Sequence, residues 1–157
     1  MIAEADARIH DANVIAESLV GRSDSSSLLK ILALEVLLKA AQLHTTGKIK
    51  RSHNYLEIWS SLPAGARQTV LAVAESRYPG HTDLSHVEKL LCVYEFLFTK
   101  ARYGYELYEK LSIAEQHELG EEWSSRGAPI EEADIQYFPL ELSALLEGLR
   151  AVSSSAA

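Results

Sequence analysis

Apolar side chains recur along this chain at the three- and four-residue spacing of a helix face, and no stretch shows the two-residue alternation of a half-buried strand. Ile2, Ala5, Ile9, Ala12, Ala16 and Leu19 share one face of a first helix over Ile2 to Val20. Gly21 and the Ser/Asp cluster from Ser23 to Ser27 then form a turn whose side-chain oxygens can accept from the free amides of a second helix. From Leu28 to about Leu43 apolar residues lie nearly all round the helix, and Glu35, Lys39 and Gln42 fall on one narrow stripe. That distribution predicts a central helix packed on several sides.

Gly47 suits the left-handed residue that ends a helix, and the run Lys48, Lys50, Arg51 leads to Ser52, the expected N-cap of a short third helix. Tyr55, Leu56, Trp59 and Leu62 share its face, and Pro63 stops it. Ala64 to Arg77 reads as another helix, ending at Tyr78-Pro79-Gly80. Ser85 and Glu88 stand in the capping-box relation and open the longest periodic segment, expected to run to Leu111. Its stripe of Val87, Leu90, Leu91, Tyr94, Leu97, Phe98, Ala101, Tyr105 and Tyr108 is suited to pairing with the second helix. Ser112 with Glu115 repeats the capping pattern before a polar helix to about Ser125. Gly127 to Asp134 reads as a loop, and Pro139 suits the first turn of a last helix whose buried edge is Leu142, Leu145, Leu146 and Leu149. Together these elements predict an all-α, up-and-down helical bundle of about five to six helices with a long fourth or fifth helix. Residues 1–152 are expected to form a single domain, and residues 153–157 a frayed tail.

Composition narrows this further. With 157 residues, 47% of them hydrophobic and 24% charged, the chain can bury a sizeable core. Its one cysteine, Cys92, cannot form an internal disulfide, and the N-terminus lacks a basic start followed by an apolar run. A cytoplasmic location and no membrane span are the expectation, because the longest apolar stretch is interrupted by Lys30, Glu35, Lys39 and Gln42. The formal net charge of -7 hides a strong asymmetry. Residues 30–53 carry five Lys/Arg against one Glu, whereas residues 106–147 carry eleven Asp/Glu against two Lys/Arg. Nonspecific affinity for nucleic acid comes mainly from cations at the phosphates, so only the local basic patch is suited to it.

The six histidines lack the paired helical or Cys-His spacing of metal sites, and no metal or cofactor is expected. A glycine-rich phosphate loop and a serine nucleophile elbow are equally missing from the sequence. Chemistry is better sought in Glu35 and Lys39 on the second helix, His53 beyond the basic loop, and Arg102 with Glu106 on the long helix. Glu35 with Lys39 has the spacing of an ordinary helix-stabilising pair, and Glu95, Arg102, Glu106 and Glu109 that of a solvated face. Against this, a Glu and a Lys on so apolar a helix call for compensating partners, since an unpaired buried charge is expensive. A groove between the two helices would bring Lys39, Arg102 and His53 together, with Lys48, Lys50 and Arg51 at its mouth. Arginine holds phosphate through a planar fork, and imidazole can exchange a proton with a ribose hydroxyl, which points to metal-free RNA cleavage. Tyr55 and Trp59 beside His53 are suited either to base stacking or, more commonly for these residue types, to the core.

At these positions the sequence resembles the HEPN domains, small helical bundles of prokaryotic toxin-antitoxin and phage-defence systems. Leu28 to Ala40 is similar to that family's helix with a Glu and a Leu-Lys-Ala ending, and Gly47, Ser52-His53 and Leu56 to its glycine loop and His-x-x-Leu. Phe98 to Glu106 resembles the Arg-Tyr-x-Tyr-Glu motif of some members. The resemblance implies an RNA- or nucleotide-binding protein, with metal-independent ribonuclease activity in a defence or toxin module. It implies Glu35, Lys39, His53, Arg102, Tyr103 and Glu106 as the functional or groove-forming set, with His53 and Arg102 as the catalytic pair; the loop cations Lys48, Lys50 and Arg51, read from charge, join the others as substrate-binding residues. A homodimer with a composite cleft and a nucleotidyltransferase-type antitoxin partner are implied with it. One departure is that many nuclease members carry an Arg separated from the His by four to six residues, whereas here Lys48 precedes His53 at that spacing and Arg77 precedes His81 with three between. Lysine lacks arginine's bidentate grip. The competing expectation is a noncatalytic interaction or oligomerisation module, whose acidic C-terminal third binds a basic partner.

Overall fold

The computed structural model describes residues 1–18, 24–99, 110–127 and 136–154. Among them are seven helices and no strand: α1 (Ile2–Ser18), α2 (Asp24–Thr46), α3 (Tyr55–Ser60), α4 (Ala64–Arg77), α5 (Val87–Thr99), α6 (Ile113–Ser125) and α7 (Pro139–Ser154). This is an all-α bundle, with the six-residue α3 and the peripheral α6 as elements of their own. No helix among the described residues is long and apolar enough to cross a membrane.

The hub is α2, which packs most extensively on α1 and α7 and also touches α3 and α5. Its all-round apolar pattern requires this, because Ile31, Ala33, Leu34, Leu37, Leu38, Ala40 and Ala41 point to several neighbours and are all buried. By contrast α1 fully buries only Ala5 and Ala12, and the expected face residue Ala16 is exposed. A close helix crossing joins α4 to α7. A Cβ at Gly148 would collide with the backbone carbonyl of Val70, so glycine is what lets these helices approach so closely there, and Val70, Ala74, Ala144 and Leu145 of the two helices are all buried.

The α5 stripe is buried as expected at Val87, Leu90, Leu91, Tyr94 and Leu97, but it is shared between α2 and α3 rather than given to α2 alone. Its expected extension to Leu111 falls largely on residues 100–109, outside the described residues. Residues 128–134 of the expected loop lie outside them too. The Tyr94 hydroxyl donates to the Phe138 carbonyl at 2.8 Å, tying α5 to the entry of α7. That last helix runs on through Ser154, and Ser153 is buried with its hydroxyl on the Leu149 carbonyl, where a frayed tail was expected.

Two caps differ from the sequence expectation. α3 is capped by Asn54, whose side-chain oxygen accepts from the Glu57 amide at 2.7 Å, and not by Ser52. Ser85 does not pair with Glu88; its amide and hydroxyl both donate to Asp83 Oδ1, an alternative that the short Asp side chain offers two residues away. The Ser112–Glu115 capping box forms in full.

Candidate functional site

The polar stripe of α2 organises the site. Glu35 is only 5% exposed, and its Oε1 accepts from Lys39 Nζ one turn further on at 2.6 Å. The same oxygen accepts from His53 Nδ1 at 2.9 Å, so the buried carboxylate joins α2 to the loop before α3. The other oxygen, Oε2, is buried and receives no hydrogen bond among the described residues, leaving acceptor capacity unused. His53 itself is 74% exposed at its side chain. With Nδ1 turned to Glu35, its Nε2 is left on the solvent side of the ring.

Gly47, at φ 69°, turns the chain out of α2, and Gln42 anchors the loop beyond it. Gln42 lies seven residues after Glu35 on the same stripe and is likewise buried. Its Oε1 accepts from the Lys50 amide at 2.8 Å, and its Nε2 donates to Ser61 Oγ at 2.6 Å. One side chain thereby clamps the middle of the basic loop and the end of α3 to α2. The front of α3 is fixed from the other side, because the Tyr55 amide donates to Glu95 Oε2 on α5 at 2.9 Å.

Charge along the loop is divided. Lys50 Nζ pairs with Glu57 Oε1 at 2.7 Å, and Ser52 Oγ donates to Glu57 Oε2 at 2.9 Å. The hydrogen bond from Lys50, then that from Ser52, holds the Glu57 carboxyl below the usual carboxylate range. Lys48 and Arg51 are exposed and make no ion pair among the described residues. A shallow hollow is lined by Lys50, Asn54, Leu56, Glu57, Ser60 and Ser61.

Tyr55 and Trp59 are core residues, 0% and 2% exposed, so they are not available to stack on bases. Burial, then the neighbouring Glu35 carboxylate, pushes the Tyr55 phenol well above its ordinary range. Of the residues singled out in the sequence, Glu35, Lys39 and His53 come together, with Lys48, Lys50 and Arg51 in the loop that delivers His53. Arg102, Tyr103 and Glu106, and with them the expected approach of Arg102 to His53, lie outside the described residues. Glu95 departs from the solvated-face reading because it satisfies an α3 amide. Gln42 and Glu57 take positioning roles that the sequence marks only faintly, through the stripe of α2 and the Asn54-x-x-Glu57 capping spacing. Among the described residues no three His, Cys, Asp or Glu side chains converge in a way that could hold a metal ion.

A carboxylate on Nδ1 is how proteins orient an imidazole and fix its tautomer, so that Nε2 can exchange a proton with a bound group. Lys39 pairs with the same carboxylate, and the loop that carries His53 also carries Lys48, Lys50 and Arg51 and is anchored by Gln42 on the Lys50 amide, a composition suited to an anionic ligand. In comparisons with known proteins, the chain matches no family model, no curated sequence and no solved structure.

Proposed function

We propose that this is a HEPN-like RNA-binding protein whose basic loop holds the phosphate backbone and whose His53 transfers protons in metal-independent RNA cleavage. The observation that carries this reading is the 2.9 Å contact between His53 Nδ1 and the buried Glu35 carboxylate, which leaves the imidazole largely exposed at the end of the loop that carries Lys48 and Arg51. In such a cleavage the ribose 2′-oxygen forms a bond to the adjacent phosphorus and the bond from phosphorus to the 5′-oxygen breaks. Imidazole accepts the 2′-hydroxyl proton or supplies one to the departing 5′-oxygen, and the products are a 2′,3′-cyclic phosphate and a 5′-hydroxyl. Lys48 and Arg51 offset phosphate charge, and Arg102 joins them on the strength of the resemblance alone. A homodimeric working form and a nucleotidyltransferase-type antitoxin partner rest on the same resemblance.

Fluorescently labelled single-stranded RNA incubated with the full chain in EDTA is the direct test. Cleavage with cyclic-phosphate ends is expected, falling by about 10²-fold or more in His53→Ala. Glu35→Gln should reduce it while RNA affinity stays near that of the unaltered chain. Affinity should fall with rising salt and in Lys48→Ala/Arg51→Ala. RNA left intact and unbound would remove the reading; binding without cleavage would leave only its binding half. The competing view, a noncatalytic interaction module, draws on a separate observation, that α6 has no buried residue.

A further inference from the structure

The loop after α2 carries an aliphatic residue that phosphate binding does not account for. Among the exposed large apolar side chains of the described residues, Ile49 alone has a cation on each side in sequence, Lys48 and Lys50. Arg51 follows at once, and no Asp or Glu occurs from Val36 to Leu56. Ile49 is 43% exposed, and so is Leu43 in the last turn of α2. Backbone geometry keeps the two close. The Gly47 amide donates to the Leu43 carbonyl at 2.8 Å, and the Lys50 amide reaches Gln42 Oε1, beside Leu43, at 2.8 Å. The loop therefore doubles back on the end of α2. Leu43 also lines an open hollow with Met1, Ile2, Ala40, His44 and Ser153, which carries the apolar surface on to the start of α1. The acidic side chains early in α1 and α3 are engaged, Glu4 with Arg8, Asp6 with Arg150 and Glu57 with Lys50.

One end of the bundle thus combines exposed cations with exposed aliphatic side chains, and the two ask different things of a ligand. Nucleic-acid phosphates reward the cations but gain little from an isoleucine, because bases are held chiefly by aromatic stacking, and Tyr55 and Trp59 are buried. An anionic bilayer surface satisfies both. Its head groups attract Lys and Arg, whose methylene stems lie along the acyl boundary, while an aliphatic side chain between them enters it. The chain as a whole, at a formal net charge of -7, is repelled by such a surface, which restricts the approach to this end.

We propose that the end of α2 and the Lys48–Arg51 loop form a peripheral docking surface for anionic membranes, with Lys48 and Arg51 at the head groups and Ile49 and Leu43 in the interfacial layer. No membrane-crossing helix is required. Gln42, by fixing the Lys50 backbone, holds the loop in shape before it meets the bilayer and so lowers the cost of docking. Each cation near an anionic surface raises affinity only about fivefold, so the attachment is weak, reversible and dependent on salt. It goes beyond the RNA-binding reading and does not rest on it; where both hold, lipid and RNA compete for Lys48 and Arg51.

Co-sedimentation of the full chain with sucrose-loaded vesicles in EDTA tests it, comparing phosphatidylcholine alone with phosphatidylcholine containing about one third phosphatidylserine, at about 0.1 M salt. The chain should sediment with the anionic vesicles, stay in solution with the neutral ones and be released at about 0.5 M salt. Lys48→Ala/Arg51→Ala should weaken vesicle binding by about 20-fold. Ile49→Ser keeps the charge and should weaken it by about fivefold, while affinity for single-stranded RNA stays that of the unaltered chain. Ile49→Trp should still bind, with tryptophan emission moving to shorter wavelength on anionic vesicles as the ring leaves water. Circular dichroism checks that every variant keeps its helix content. A chain that stays out of the anionic pellet at low salt overturns the proposal, and RNA binding through Lys48 and Arg51 in that same chain would leave the RNA reading intact. Vesicle binding that either Lys48→Ala/Arg51→Ala or Ile49→Ser leaves unchanged overturns it as well.

Discussion

Replacing Gly148 with alanine sets two effects of opposite sign against each other. Alanine is favoured over glycine in a helix interior by about 1 kcal/mol, so propensity alone predicts a more stable α7. At this crossing the new methyl would run into the Val70 carbonyl oxygen and would also lie 3.0 Å from the Val70 carbonyl carbon and from Val70 Cγ1. The obstacle is backbone, which no rotamer change can move, so α4 and α7 must separate and loosen the packing around the buried Val70, Ala74, Ala144 and Leu145. Overpacking of this kind costs up to about 3 kcal/mol. Subtracting the propensity gain leaves a net loss of about 2 kcal/mol, or a Tm lower by roughly 4–8 °C for a chain of this size. Thermal and urea unfolding followed by circular dichroism measure it. Gly120→Ala is the control, since a Cβ there meets nothing within 4 Å and α6 should gain helicity. If Gly148→Ala raises Tm, the close approach of α4 to α7 is not what holds glycine at this position.

Gln42→Leu should leave the Lys50 amide and the Ser61 hydroxyl without their partner at a cost of roughly 1–3 kcal/mol, and should speed amide hydrogen exchange at Lys50 without altering the loop's charge. Unchanged exchange there would mean that the loop is held by something other than the glutamine. Burial raises the phenol pKa of Tyr55 and Tyr94 above the ordinary value of about 10. Below that pH their protonated forms contribute full stability; above it the unfolded chain loses protons that the folded chain keeps, so stability should fall as pH rises. Absorbance at 295 nm should show Tyr55 and Tyr94 ionising only together with unfolding, and early ionisation of all seven tyrosines would contradict the burial.

What could be read from the chain alone was what neighbours in sequence settle between themselves. Apolar residues at helical spacing made every element helical, and Pro63 and Tyr78-Pro79-Gly80 bounded α4 at Ala64–Arg77 as observed. The Ser112–Glu115 box formed because both partners lie within one helical turn. Local reasoning failed where a nearby rival was better placed: Asp83 took the Ser85 amide and hydroxyl, and Asn54 displaced Ser52 as the cap of α3.

Of the candidate site, the sequence singled out Glu35, Lys39 and His53, because a Glu and a Lys on a nearly all-apolar helix need partners wherever the helix is buried. Only the tertiary structure decided who those partners are. His53 reaches Glu35 across 18 positions, Gln42 reaches Ser61 across 19, and Glu95 reaches the Tyr55 amide across 40. Periodicity reports which face of a helix avoids water but carries no information about which distant residue stands opposite it. The same limit explains Tyr55 and Trp59, whose types suit both a base and a core, and whose burial is settled by how α3 seats between α2 and α5. Hydrophobic spacing is a property of one helix, whereas a carboxylate that orients an imidazole is a property of two segments brought together by the rest of the chain.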